Sequence, residues 1–266
     1  MTKGWVVFTD LDGTLLDHHT YDHTPALPAL RRLKALGIPV IPVSSKTVEE
    51  LKHIRQQLKL KGPVIAENGA VIAYPGEPTQ IAPPGYYLIR DFLIDHRANP
   101  AFDTLGFGDM NLEEVMEHTG LTRDEAKRAV KRLASEPFLW KGDAAGLAVF
   151  RKEVSAANLR LLQGGRFMHL LADTDKGIAV KHTVKHLRNS GRVVTRTIAL
   201  GDSDNDRDML MSVDTPVIIR KHDGTHLSLE ERHDAIITDH PGPSGWNQAI
   251  NQLLDQYGDQ HTVTHL

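Results

Sequence analysis

Apolar and polar positions along this chain fall into blocks that switch between strand and helix periods. "WVVFT" (5–9) is a near-continuous apolar run, as expected of a buried strand. Leu27, Leu30, Leu33 and Leu36 then recur at helical spacing, with "RRLK" on the solvated side and Gly37 where a helix ends in the left-handed region. "IPVIPV" (38–43) predicts a strand running into "SSKT". Pro39 suits its start, but Pro42 has no N–H for a central ladder, so a local irregularity is expected there. Thr47 and Glu50 form a capping box ahead of a helix face made by Leu51, Ile54 and Leu58. "PVIA" (63–66) and "AVIAY" (70–74) read as short strands on either side of the turn "ENG".

Between about 75 and 95 the texture changes: "YPGEPTQIAPPGYY" is rich in Pro and Gly and reads as a connection between modules. Beyond it Asn111 with Glu114, and Thr122 with Glu125, each cap a helix. The first ends at Gly120, and the second turns Ala126, Ala129, Val130 and Leu133 inward. "GLAVFR" (146–151) and "RFMHLLA" (166–172) predict strands with a helix between them, capped by Ser155. Residues 84–168 are therefore taken as an inserted α/β cap, flanked by a core built from 1–83 and 169–266. In the last third "TRTIALGD" (195–202), "TPVIIR" (215–220) and "DAIIT" (234–238) are strands, and "NDRDMLMSV" is helical. A final helix starts near Gly245, and the tail "QYGDQHTVTHL" is expected to be disordered. Strands alternating with helices argue for a mostly parallel sheet covered on both faces, a Rossmann-like, doubly wound α/β core.

Composition narrows the chemistry. The 266 residues suffice for a sizeable core, and 31 basic against 34 acidic side chains leave a net charge of only −3. Nothing in that balance argues for a nucleic-acid or membrane surface. There is no cysteine, which excludes disulfides, thiolate catalysis, zinc–thiolate sites and iron–sulfur clusters. No apolar stretch approaches the roughly 20 residues of a membrane span, and Asp10 interrupts the first apolar run too early for a secretory signal. A soluble cytoplasmic protein is the expectation.

The informative residues lie just beyond the strand ends. Asp10 and Asp12 come directly after the first strand, and Asp202, Asp204 and Asp206 after "TIAL". Ligands of open α/β sheets bind beyond the carboxyl ends of the strands. Carboxylates gathered there raise one another's pKa unless a cation intervenes. All-oxygen ligation suits Mg²⁺, which keeps positions open for a phosphate. Ser44 and Ser45 end the second strand with hydroxyl and N–H donors, and Lys176 heads a helix. Metal, lysine and N–H donors together stabilise charge on a transferring phosphoryl group. One aspartate can then attack phosphorus, while Asp12 protonates the leaving alkoxide and later deprotonates water.

"DLDGT" at 10–14, Ser44 after a strand, "DKG" at 175–177 and "GDSDND" at 201–206 resemble, in order, the four motifs of the haloacid dehalogenase superfamily of phosphatases. The resemblance spans nearly the whole core. It implies Asp10 as nucleophile and Asp12 as acid and base, with Ser44 and Lys176 on the phosphate. It also implies Mg²⁺ held by Asp10, Asp202 and the carbonyl of Asp12, with Asn205 and Asp206 orienting Lys176 and the metal waters. An acid at Asp12 resembles the phosphatases; the related P-type ATPases carry Thr there. An insert between the second and third motifs marks a C2-type α/β cap. "SSKT", "ENGAVI", "SEPFLW" and "GGRFMHLL" further resemble the mannosyl-3-phosphoglycerate phosphatase branch, which acts on a glycosyl-phosphoglycerate to give a compatible solute. Lys46 stands where related sugar phosphatases carry Arg. A glucosyl substrate or a broader sugar phosphate is the alternative, and a silent protein that kept the fold is the rival of another class.

The resemblance brings in candidates for the substrate: Ser45, Lys46, Asn68, Arg166 and His169, with Glu136 a weaker one. An arginine suits bidentate recognition of a glycerate carboxylate. On a regular strand Arg166 and His169 face opposite ways, so both serve one pocket only if the strand is irregular or starts after Arg166. A structural ion pair for Arg166 and a packed histidine at His169 are the alternatives. His18, His19 and His23, or His182 with His186, lack a patterned third partner for zinc.

Overall fold

The computed structural model describes residues 2–164 and 166–258; Gly165 and most of the tail expected to be disordered lie outside the described residues. The elements in chain order are β1 (Trp5–Thr9), α1 (Leu27–Ala35), β2 (Val40–Pro42), α2 (Val48–Gln57), β3 (Val64–Ala66), β4 (Val71–Ala73), β5 (Gln80–Ile81) and α3 (Tyr86–His96). Next come β6 (Thr104–Gly106), α4 (Leu112–Thr119), α5 (Arg123–Ala129), β7 (Ser135–Trp140), α6 (Ala144–Ala156), β8 (Leu159–Gln163) and β9 (Met168–Ala172). The described residues close with α7 (Lys176–Asn189), β10 (Arg196–Gly201), α8 (Arg207–Met211), β11 (Thr215–Arg220), β12 (Ile236–Pro241) and α9 (Gly242–Gly258). Two compact units result, one from Met1–Ser44, Leu58–Pro63 and Lys176–Leu266, the other from Ser45–Gln57 and Val64–Asp175.

The described residues of the first unit form a five-stranded parallel sheet in the order β12-β11-β10-β1-β2. All five residues of β1 are buried, as a strand flanked on both edges and covered on both faces requires. Helices α1 and α9 are joined by Arg32, which reaches Asn251 and Asp255 at 2.6 Å each. Helices α7 and α8 pack on one another. Pro42 causes no break: β2 is the sheet edge, pairing runs in register to Thr9↔Pro42, and the Val43 N–H continues it to the Thr9 carbonyl at 2.8 Å. An edge strand has one side that needs no ladder, which is where a proline fits. The last helix begins at Gly242 rather than Gly245 and runs through Gln256 and Tyr257, which the sequence had placed in the tail.

The second unit holds two antiparallel sheets, β3-β4-β5 and β6-β7-β9-β8. Its main core gathers Ile89, Leu93, Phe102, Phe138, Phe150, Val154 and Leu170. The 84–168 segment predicted as the cap lies wholly inside this unit, which also takes in α2 and the β3–β5 sheet.

Three expectations here fail. The supposed connection at 75–95 contains β5 and all but the last residue of α3, whose inner face is Ile89 and Leu93. "GLAVFR" is the middle of α6, not a strand: Asp143 Oδ1 accepts the Gly146 N–H at 2.7 Å and caps that helix. The stretch expected to be a helix capped by Ser155 instead ends α6 and becomes β8, which pairs along its length with β9. A six-residue apolar run fits either period, and tertiary pairing decides. The three capping boxes fare better: Thr47–Glu50, Asn111–Glu114 and Thr122–Glu125 all form at helix starts.

Candidate active site

Three adjacent parallel strands of the first unit deliver the site, with acids after β1 and β10 and a serine after β2. β1 runs between β10 and β2, so Asp10, Asp202 and Ser44 all emerge at the same carboxyl edge. The Asp10 N–H continues the ladder to the Leu200 carbonyl at 2.9 Å, which fixes where its side chain starts. After Asp12 the chain must turn back tightly. Gly13 does so at φ +81°, and a side chain there would press on the Asp202 carboxylate. Gly201 serves the same crowding from the other side, since any Cβ would collide with Asp206.

Lys176, the first residue of α7, is the cation of the site. It is 1 % exposed, and Nζ donates to Asp10 Oδ1 at 2.7 Å and Asp206 Oδ1 at 2.6 Å. The other Asp206 oxygen accepts the N–H groups of Asp202 (3.0 Å) and Ser203 (3.1 Å). Asp206 thus bridges Lys176 and the turn that follows β10. Asp202 Oδ1 takes the Ser203 hydroxyl at 2.8 Å and the Thr14 hydroxyl at 3.4 Å. Carboxylate oxygens of Asp10, Asp202 and Asp206 lie within 4.8 Å of one another.

One lysine does not balance this many acids. Burial, and then the charge of Asp206, push the Asp10 carboxyl well above its ordinary range despite the opposing pull of Lys176. Burial and Asp206 likewise raise Asp202. Burial alone would lower Lys176, but Asp10 and Asp206 outweigh it and hold the ammonium firmly charged. The residues therefore fit a divalent cation on two counts: the donors are all oxygen, and an excess of buried negative charge is left for it to neutralise. Asp204, counted with this strand end in the sequence, is exposed and stands outside the group.

Of the predicted residues, Asp10, Asp12, Ser44, Lys176, Asp202, Asn205 and Asp206 all belong to the first unit. Asp12 is half-buried, and its charge acts on Asp10. Ser44 is buried at the end of β2. Ser45, Lys46, Asn68, Arg166 and His169 belong to the second unit. There the first three are held together. The Glu67 N–H donates to the Lys46 carbonyl at 2.9 Å, and Arg132 donates to the Ser45 carbonyl at 2.8 Å. Asn68 is buried, with φ +56°. Arg166 is exposed, precedes β9, and donates to the His118 carbonyl. His169 is half-buried in β9 opposite Pro137. The strand does start after Arg166, so the parity argument no longer sets the two apart.

Sequence reasoning missed the supporting roles of Thr14, Ser203 and Arg132. The first two sit inside the strand-end motifs and could have been found there. Arg132 gave no local signal, because its partner is far away in the chain.

Residues 7–82 match the haloacid dehalogenase-like hydrolase family. A fold of this kind is also seen in a haloacid dehalogenase-like hydrolase from Bacteroides thetaiotaomicron, with a TM-score of 0.67 at 18% identity over 94% of this chain and 100% of that one. The chain belongs to the haloacid dehalogenase-like hydrolases. Within them it is similar over nearly its whole length to a glucosyl-3-phosphoglycerate/mannosyl-3-phosphoglycerate phosphatase of Methanococcoides burtonii, 38% identical over 94% of this chain and 97% of that one. An enzyme of the same name from Persephonella marina is 35% identical with the same coverage.

Proposed function

We propose that this protein is a Mg²⁺-dependent phosphatase that hydrolyses mannosyl-3-phosphoglycerate, or its glucosyl counterpart, to the glycosylglycerate and phosphate. The observation that carries the reading is Lys176 buried between Asp10 and Asp206, beside Asp202. Such a constellation holds an attacking carboxylate and an acceptor for phosphoryl charge in one place. The substrate class rests on the names of the whole-length relatives.

In this reading Asp10 attacks phosphorus, and the bond from phosphorus to the glycerate oxygen breaks. Asp12 gives that oxygen its proton. Asp12 then removes a proton from the water that splits the aspartyl-phosphate, which restores Asp10 and releases phosphate. Lys176 holds Asp10 in place and offers its charge to the phosphoryl oxygens, and Ser44 donates to them. Asp10, Asp202 and the Asp12 carbonyl would hold Mg²⁺, which would supply neutralisation of the phosphoryl charge. Asn205 supports Asp206 and the lysine. Recognition of sugar and glycerate falls to the inserted cap, 84–168, and to Ser45, Lys46, Asn68, Arg166 and His169, with Arg166 suited to the carboxylate. The cysteine-free sequence fits a cytoplasmic setting.

Phosphate release should be compared on mannosyl- and glucosyl-3-phosphoglycerate, simple sugar phosphates and 3-phosphoglycerate. A preference in kcat/KM of about 100-fold, or about 2.7 kcal/mol, for a glycosyl-phosphoglycerate is expected. Equal, weak turnover of all would remove the substrate assignment. No turnover of any, with Mg²⁺ present, would leave a silent member of the family.

A further inference from the structure

Trp246, the fifth residue of α9, is fully buried, and its indole N–H donates to the Thr9 hydroxyl at 3.0 Å. That hydroxyl, also fully buried, donates in turn to the carbonyl of Asp10 at 2.7 Å. We propose that Trp246 is a positioning residue for Asp10, acting through Thr9 on the peptide that joins Asp10 to Leu11. The inference rests on the reading of Asp10 as nucleophile.

The chemistry of the hydroxyl gives the relay its direction. A threonine has one proton to donate. An indole donor seated on the oxygen leaves that proton one good use, and the Asp10 carbonyl receives it. Linked hydrogen bonds in a buried setting also strengthen one another. The peptide is planar and trans, so fixing the Asp10 carbonyl fixes the Leu11 N–H on the opposite side and the backbone from which the Asp10 side chain springs. Small misplacements of a reacting group are expensive in rate.

The sequence supports a purpose beyond filling space. β1 is otherwise apolar, and valine would match threonine in shape at position 9 without a polar atom to bury. Trp246 is itself tightly placed: Gly245 lets α9 run against the end of β12, where a side chain would collide with the His240 carbonyl. The indole therefore has a fixed origin in the helix and a fixed target in the strand.

The test uses Trp246→Phe, Thr9→Val, Thr9→Ser and the Trp246→Phe/Thr9→Val double variant of the full chain. Two readouts are taken: steady-state kinetics with Mg²⁺ and mannosyl-3-phosphoglycerate, and amide and indole resonances of the ¹⁵N-labelled protein. Trp5 and Trp140 supply internal indole references. Trp246→Phe should lower kcat about fivefold with little change in KM, the rate equivalent of about one hydrogen bond. Thr9→Val should lose at least as much, Thr9→Ser should recover most of that loss, and the double variant should be no worse than Thr9→Val. The Leu11 amide should shift in Trp246→Phe, and the Trp246 indole should shift in Thr9→Val. Additive losses in the double variant, or an unmoved Leu11 amide in folded Trp246→Phe, would overturn the relay. If Trp246→Phe fails to fold, the Trp246 indole in Thr9→Val against Thr9→Ser decides. Absence of turnover in the unmodified protein would count against the reading of Asp10, while the resonances still decide the relay.

Discussion

Lys176 donates to Asp10 at 2.7 Å, joining the head of α7 to the residue after β1 across 166 positions of sequence. The pair is buried, and Asp206 shares the same ammonium at 2.6 Å. Replacing Lys176 by Met would leave the carboxylates without their internal cation. Breaking a buried pair from one side costs about 3–5 kcal/mol. The variant should therefore unfold at markedly lower urea concentration, and its kcat should fall by about 1,000-fold or more. A variant that keeps its urea midpoint would show that the lysine is not compensating these acids.

Cation removal tests the same charge balance from the other side. Chelation with EDTA should abolish turnover, and Mg²⁺ should restore it. Mg²⁺ should also raise the melting temperature of the resting protein, since a ligand at 100 times its Kd adds about 2.7 kcal/mol. Asp202→Asn removes one of the converging carboxylates and should raise the Mg²⁺ concentration needed for both effects at least tenfold. Equal stabilisation of Asp202→Asn and the parent by Mg²⁺ would place the cation elsewhere.

The parts of this site that were legible in the sequence are those whose information is local. Asp10 and Asp12 follow one strand, and Asp202 and Asp206 follow another; a parallel sheet puts such ends side by side. What was not legible depends on partners far away in the chain. The Pro- and Gly-rich text before Tyr86 hid the start of α3, although Ile89 and Leu93 already stood at helical spacing. "GLAVFR" fits a strand or a helix equally well, and the decisive Asp143 cap lies outside the apolar run. β8 is a strand because β9 is there to pair with it. No local pattern announces that Arg132 will hold the Ser45 carbonyl.

Acid should act on the second unit through Asp109. Burial pushes its carboxyl up, but hydrogen bonds from Arg97, Arg90 and the Gly106 N–H overcome this and hold it well below the usual carboxylate range. A carboxyl whose pKa is depressed by folding stabilises the fold above its unfolded pKa of about 3.9 and loses that contribution as pH falls toward the folded value. Stability followed by urea unfolding should thus decline below about pH 4. Asp109→Asn should be less stable than the parent at pH 7, and the gap should narrow steadily toward pH 2. A gap that stays constant with pH would mean that the carboxylate charge contributes nothing there.

Glu67 offers the sharpest test of how the second unit supports its candidate binding residues. Its backbone is left-handed at φ +51°, as is that of Asn68 at φ +56°, a conformation that ordinary side chains adopt only under constraint. The constraint is visible: the buried carboxylate accepts the N–H groups of Leu133 (2.9 Å) and Ala134 (3.0 Å) and the Ser135 hydroxyl (2.7 Å). A carboxylate can serve all three because both of its oxygens accept. Glutamine has only one accepting oxygen, and its amide would turn N–H toward N–H. Glu67→Gln should therefore cost about 2 kcal/mol, and Ser135→Ala, which removes one donor and leaves the others, about 1 kcal/mol. Because the turn carries Asn68 and the Glu67 N–H holds Lys46, the functional loss should fall on recognition rather than on chemistry. KM for mannosyl-3-phosphoglycerate should rise about tenfold in Glu67→Gln, while turnover of a small aryl phosphate changes less than about twofold. Equal losses on both substrates would mean that the clamp supports the fold alone, and that Asn68 and Lys46 do not meet the substrate.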